Sequence, residues 1–319
     1  MTANKRLVTK CDIDGLASGI LLKEMDLIDR IVFCHPRDIE KGAFEISGED
    51  ITAGLPYREF VHLAFDYYAG RATGNPTNLV VDNTMPSTSR VIYNYYGKQN
   101  FQNVSQDLLT VVDKGISADL SMDEILYPSG WILLNYLIDQ RTGLDNFSKF
   151  SMSNAELIAK LSDWCREYNI WEVLSLPEVE ERLDSYFSCI DSYKSQILRC
   201  SSLHNNLVVV DMREEIVIYP GNRFMTYALF PECNVSLQIM RHPSGTKTTF
   251  IVGKSFIDRS LSIDVGRIMK ANGGGGHLNA GTCEADNEKA EDVMNIIISA
   301  LKYGEFKNLF MGYHDYYYP

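Results

Sequence analysis

The sequence contains no CxxC pair, and its seven cysteines, Cys11, Cys34, Cys165, Cys189, Cys200, Cys233 and Cys283, are odd in number and widely scattered. That pattern argues against a disulfide framework or a zinc site, so they read as reduced thiols. No segment supplies about eighteen continuous apolar residues, and Met1 to Arg6 lacks the apolar run of a signal peptide. No membrane partner and a cytoplasmic location are therefore expected. Positive charge is also scarce: 30 Lys and Arg against 42 Asp and Glu leave a net charge of −12. Such a balance opposes attraction to duplex DNA and to anionic membranes. The chain has no GxGxxG loop, no Walker-type loop and no Ser/His/Asp signature, which leaves those nucleotide-binding and hydrolase readings without support.

What is present is an ordinary globular composition, 45% hydrophobic and 23% charged, over 319 residues. That length suits two domains of roughly 100 to 150 residues each. Arg6 to Thr9 is a short β-prone run leading into Asp12-Ile13-Asp14-Gly15, after which Leu16, Ile20, Leu21 and Met25 recur at helical spacing. Ile31 to Cys34 and His62 to Phe65 have strand character, the second ending at Asp66. Pro86 precedes Val91, Ile92 and Tyr95 at helical spacing, and Leu108 to Val112 forms another apolar run before Asp113. The alternation predicts an α/β protein whose N-terminal domain, residues 1–125, is an open, mostly parallel sheet. Ligands of such sheets sit outside the carboxyl ends of the strands, and Asp12, Asp66 and Asp113 are expected at or near such ends.

From Ile125 the pattern becomes helical, with Trp131, Leu134 and Leu137, then Leu157, Leu161, Trp164 and Tyr168, three or four residues apart. Residues 126–203 are expected to form a helical linker. A smaller α/β domain follows over 204–305, with strands at Asn206 to Asp211, Ser236 to Met240 and Thr248 to Val252, and a helix at Val265 to Ala271. An aromatic tail, 306–319, ends in Tyr316-Tyr317-Tyr318-Pro319 and offers a docking segment.

Two stretches carry chemistry. Asp12 and Asp14 on a strand-end turn suit the oxygen-ligand demand of paired divalent ions in phosphoryl transfer, although the same DxDG pattern also makes turns and caps helices. Gly273-Gly274-Gly275-Gly276-His277 lets a backbone approach an anion and offer its N–H groups, with His277 as a charge-assisted donor. A flexible turn is the plainer alternative. Arg267, before the glycines, and Arg90 are further candidates for a phosphate contact, or surface ion-pair partners.

Thr9 to Ala17 (TKCDIDGLA), Asp113 to Ala118 (DKGISA), Asp139 to Leu144 (DQRTGL) and Gly273 to Cys283 (GGGGHLNAGTC) together resemble successive motifs of exopolyphosphatase-related proteins in the DHH phosphoesterase superfamily. The resemblance implies an N-terminal domain holding manganese-like ions and a DHH-associated domain whose glycine loop and histidine grip the substrate. Carried over by position, it implies Asp12, Asp14, Asp50, Asp66 and Asp113 as metal ligands, with Asp14 and His277 catalytic. If Leu55-Pro56-Tyr57 sets the register instead, the Asp50 role falls to Gly54 and that ligand is missing.

The chain also departs from the pattern. Lys10 stands where the family has a histidine, Asp66-Tyr67-Tyr68 replaces Asp-His-His, and Ile116 replaces an aspartate. A tyrosine hydroxyl is a poor ligand for a hard ion, isoleucine offers no donor, and an ammonium repels a cation. Lys10 could neutralise Asp12 and Asp14 in the metal's stead, or simply face solvent. One or no Mn2+-type ion is expected instead of two, unless Asp38 or His35 moves in as a substitute ligand. The leading expectation is a protein that binds a phosphoester or polyphosphate, with hydrolysis weakened or lost, a possible pseudoenzyme. The alternatives are an active metal-dependent phosphoesterase on short nucleic acids, dinucleotides or polyphosphate, and a non-catalytic interaction protein.

Overall fold

The computed structural model describes residues 5–68 and 76–303. The aromatic tail at 306–319 lies outside the described residues. They divide into two compact units, one of residues up to 189 together with Pro220–Asn222, the other of 190–219 and 223 onward. The helical stretch expected as a linker belongs for the most part to the first unit. No helix among the described residues is long and apolar enough to cross a membrane.

The first unit is built on five strands, β1 (Lys5–Thr9), β2 (Ile28–Phe33), β3 (Asp50–Ala53), β4 (Leu63–Asp66) and β5 (Leu79–Val81), in the order β2-β1-β3-β4-β5. Every pairing is parallel. Leu7, Val8 and Thr9 of β1 and all of β3 are buried, as expected of parallel strands covered on both faces. The chain leaves β1 for β2 on one side and returns for β3 on the other, so the order reverses between β1 and β3. At such a point the connections diverge and leave a crevice at the strands' carboxyl ends.

The helix Ile13–Glu24 follows β1 directly. Asp12 caps it by accepting the Gly15 N–H at 2.9 Å. A Cβ on Gly15 would fall 2.0 Å from the Lys10 carbonyl oxygen, so only glycine permits so tight a passage from strand to helix. Ile13 to Leu22 are buried without a break, because the sheet and the helices Thr88–Tyr96 and Asn154–Glu167 all pack on this helix.

One expected strand is corrected. Leu108 to Val112 lies inside the helix Gln106–Ser117, capped by Ser105, with Leu108, Leu109, Val111 and Val112 buried along one face. A short apolar run fits either period, and here tertiary packing selects the helix. Asp113 is consequently a helical residue and not a strand end.

The second unit carries a six-stranded sheet: β6 (Ser201–His204), β7 (Leu207–Asp211), β8 (Val235–Arg241), β9 (Lys247–Lys254), β10 (Gly275–His277) and β11 (Ala280–Asp286), ordered β10-β11-β9-β8-β7-β6. Only β7 and β8 pair in parallel. Leu237, Ile239, Phe250 and Val252 meet Ile268 and Met269 of the helix Val265–Ala271, and Ile297 and Leu301 of the helix Ala290–Tyr303. Strands β6, β10 and β11 carry no strong hydrophobic alternation and were not expected.

The glycine run forms one arm of the β10–β11 hairpin. A Cβ on Gly274 would lie 2.0 Å from the Thr282 carbonyl oxygen, while one on Gly275 would meet nothing within 4 Å. Gly274→Ala should therefore lower stability by roughly 3 kcal/mol, the upper range for overpacking, and Gly275→Ala should change it little. Calorimetric melting of the two variants separates them.

At the amino ends of β1 and β3, Arg6 makes a two-pronged ion pair with Asp50, Nε to Oδ1 at 2.8 Å and Nη2 to Oδ2 at 2.6 Å. The Asp50 side chain is 2% exposed. Burial opposes its charge, but Arg6 and the Ser47 N–H outweigh burial and hold it below the usual carboxylate range. Arg6→Ala leaves that charge buried and alone, and should cost about 3 kcal/mol at neutral pH. A depressed carboxyl pKa contributes stability above the unfolded value, near about 4, and loses it as pH falls through the folded value. Urea denaturation should thus show the native–variant difference at pH 7 shrinking in acid.

Candidate functional site

The strand order gathers the chain's acidic turn at the β1/β3 switch point. Lys10 follows β1, Gly54 follows β3, and Asp66 ends β4. Lys10 Nζ lies 3.2 Å from Asp12 Oδ2. Burial pulls the lysine pKa down, but Asp12 and Asp14 outweigh burial and raise it overall, so the ammonium stays charged. Burial likewise opposes the Asp12 charge, and Lys10 with the Gly15 N–H overcomes it and holds that carboxyl below its usual range. Asp14 is raised, first by burial and then by the neighbouring Asp12 charge. Burial lifts Asp66 to about 6, and lifts the Tyr67 phenol as well.

Asp14 is wholly enclosed. Its Oδ1 accepts the Ser89 N–H at 2.8 Å and its Oδ2 the Thr88 N–H at 3.2 Å, both at the start of the helix Thr88–Tyr96. A carboxylate there satisfies otherwise orphaned amides and the positive helix end. Asp113 takes the Ser87 hydroxyl at 2.6 Å and Arg90 through Nε at 2.9 Å and Nη2 at 2.6 Å. Arg90, a sequence candidate for phosphate, and Asp113, a candidate for metal, neutralise one another.

Other candidates lie elsewhere. Asp50 stands at the amino end of β3, bound to Arg6, and the residue that the strand delivers to the switch point is Gly54. His35 caps the helix Pro36–Glu40 by accepting the Arg37 N–H at 3.1 Å. Ile116 rides on the helix Gln106–Ser117. In the second unit, His277 is exposed, with Nδ1 accepting the Asn279 N–H at 3.3 Å, and Arg267 is exposed on the helix Val265–Ala271. Gly274 and Gly276 are required by close backbone contacts across the hairpin, whereas a Cβ on Gly273 or Gly275 would meet nothing within 4 Å, although Gly273 has φ +79°. Part of the glycine run is thus explained by packing alone.

Sequence reasoning passed over Arg141. Its Nε and Nη2 bind both oxygens of Asp139, at 2.7 and 2.8 Å, and its charge is felt by Asp12. The signal was available, because Arg141 is the basic residue of the DQRTGL stretch. Thr88 was also missed: its hydroxyl is buried and has no hydrogen-bond partner.

These residues do not fit a pair of divalent ions. Among the described residues, no group of three or more His, Cys, Asp or Glu converges as a ligand set. Both oxygens of Asp14 are engaged by amides, and Asp113 is engaged by Arg90 and Ser87. Gly54 supplies no donor. A divalent ion about 4 Å from the Lys10 ammonium would meet repulsion on the order of 8 kcal/mol at an effective dielectric of about 20. Lys10 and Arg141 are the cations of the cluster, paired with Asp12 and Asp139.

No family model matches the chain, and no curated protein matches it. Among solved structures, it is similar to PggH of Vibrio cholerae, a pGpG-specific phosphodiesterase, at 40% identity and a TM-score of 0.84, over 93% of this chain and 99% of that one. It also shares its fold with RecJ of Thermus thermophilus, solved in complex with Mn2+, at 13% identity and a TM-score of 0.52, and spans 52% of that chain. Two-fifths identity over nearly the full length of PggH goes with the parallel sheet, the DxDG turn at its switch point and the glycine hairpin of the second unit. On these grounds the chain belongs to the DHH phosphoesterase superfamily.

Proposed function

We propose that the chain is a phosphodiesterase acting on short linear dinucleotides of the pGpG kind. The observation that carries this reading is the 40% identity to PggH over 99% of that protein's length. The site chemistry is compatible with it. In a protein of net charge −12, Lys10 and Arg141 put positive charge at the switch point, where they would bind and orient a phosphodiester. Asp66, lifted to about 6 by burial, has a carboxyl suited to take the proton of an attacking water near neutral pH. In the second unit, the exposed His277 remains the proposed contact for a phosphate.

A second reading has its own observation. The lysine ammonium beside Asp12, where the family has a metal-binding histidine, favours a protein that binds such a phosphodiester without cleaving it.

Chromatographic assay of pGpG, a cyclic dinucleotide and polyphosphate decides between them. Turnover of pGpG is expected, with Asp66→Asn lowering kcat about 100-fold at little change in KM, and Lys10→Ala or Arg141→Ala lowering kcat/KM about 100-fold. Binding of pGpG by calorimetry with no nucleoside monophosphate released would select the binding protein. Neither binding nor turnover of pGpG would remove both.

A further inference from the structure

The switch point of a parallel sheet is where the chain can present charge to a ligand, and in this protein that place is taken by one of its own side chains. Three observations converge on it. Lys10 Nζ stands 3.2 Å from Asp12 Oδ2 and within the electrostatic reach of Asp14 and Asp66. Gly54 closes β3 beside it with φ +65°, and a Cβ there would lie 3.1 Å from Lys10 Cε and 3.7 Å from Nζ. The bare glycine leaves room for the lysine, and any side chain at that position would press on the lysine stem. The same point is 3.1 Å from the Thr88 hydroxyl oxygen, which is buried and has no hydrogen-bond partner.

We infer that Lys10 is the resident cation of this site: its ammonium takes the position of a divalent ion among Asp12, Asp14 and Asp66, and Gly54 is the compensating change that makes room for it. The two residues form a unit. A side chain at position 54 would press on the lysine stem, and Gly54 itself adds no oxygen to the site. Charge follows the same logic. One ammonium offsets one carboxylate, Asp12 at 3.2 Å, while Asp14 is met by the Ser89 and Thr88 N–H groups. Thr88 has an oxygen free to accept from the ammonium when the lysine shifts toward a bound anion. An ammonium and a divalent ion are not interchangeable in this setting. The ion gathers several oxygens at about 2.0 to 2.2 Å and orders water, whereas the ammonium donates at most three hydrogen bonds and carries half the charge.

The test is Mn2+ titration followed by electron paramagnetic resonance, without substrate, so its outcome is separate from whether pGpG is hydrolysed. The full chain is expected to leave the cluster free of Mn2+ at millimolar metal. Lys10→Ala is expected to bind one Mn2+, and Asp12→Asn added to it should abolish that binding. Lys10→Met, close in shape and uncharged, serves if Lys10→Ala fails to fold. Mn2+ bound by the unmodified chain and lost in Asp12→Asn would overturn the inference whatever the variants do. So would failure of a folded Lys10→Ala or Lys10→Met variant to bind, because the lysine would then not be what keeps the ion out.

Discussion

The ion pair between Lys10 and Asp12 sits at the one place where the parallel sheet diverges, and much of the first unit is arranged around it. Asp12 faces two ways: one oxygen caps the helix Ile13–Glu24 through Gly15, the other meets the lysine at 3.2 Å. The helix behind it is buried along almost its whole length. A helix so enclosed has little freedom to adjust, so the turn that starts it has to be held by charge and by a glycine with no side chain to clash.

Fold and site draw on the same carboxylates. Asp14 closes the amino end of the helix Thr88–Tyr96 across more than seventy residues of sequence. Asp113 and Arg90 tie that helix to Gln106–Ser117. Each of these carboxylates already has a structural partner. The acidic cluster is therefore better described as a set of negative caps around one neutralising ammonium than as a cage for two ions.

Much of this organisation was legible in the sequence, and the failures have physical causes. The Arg6 to Thr9 run and the Asp12 turn announced a strand, a turn and a helix, because β-prone residues give way there to helical spacing through a capping aspartate. Leu108 to Val112 misled because four apolar residues in so short a run satisfy both periods, and only packing against neighbouring helices selects one. Asp50 misled for a related reason: a short strand has two ends, and a position inside it does not say which end faces the ligand. The register with β1 puts Asp50 opposite Arg6 and brings Gly54 to the crevice. The four glycines signalled close approach correctly, but at Gly274 and Gly276 what approaches is the neighbouring strand of a hairpin.

By itself the sequence determined the class of the protein: two α/β units, an acidic turn after the first strand, a glycine run near the end, and a lysine next to that turn. These are local properties, written in periodicity, capping and side-chain chemistry. Only the tertiary structure decided which carboxylates are engaged by helix amides or arginines, that Gly54 faces Lys10, and that Arg141 lies within reach of Asp12. Those relations join residues from tens to more than a hundred positions apart, and they depend on strand order and register, which no local pattern specifies.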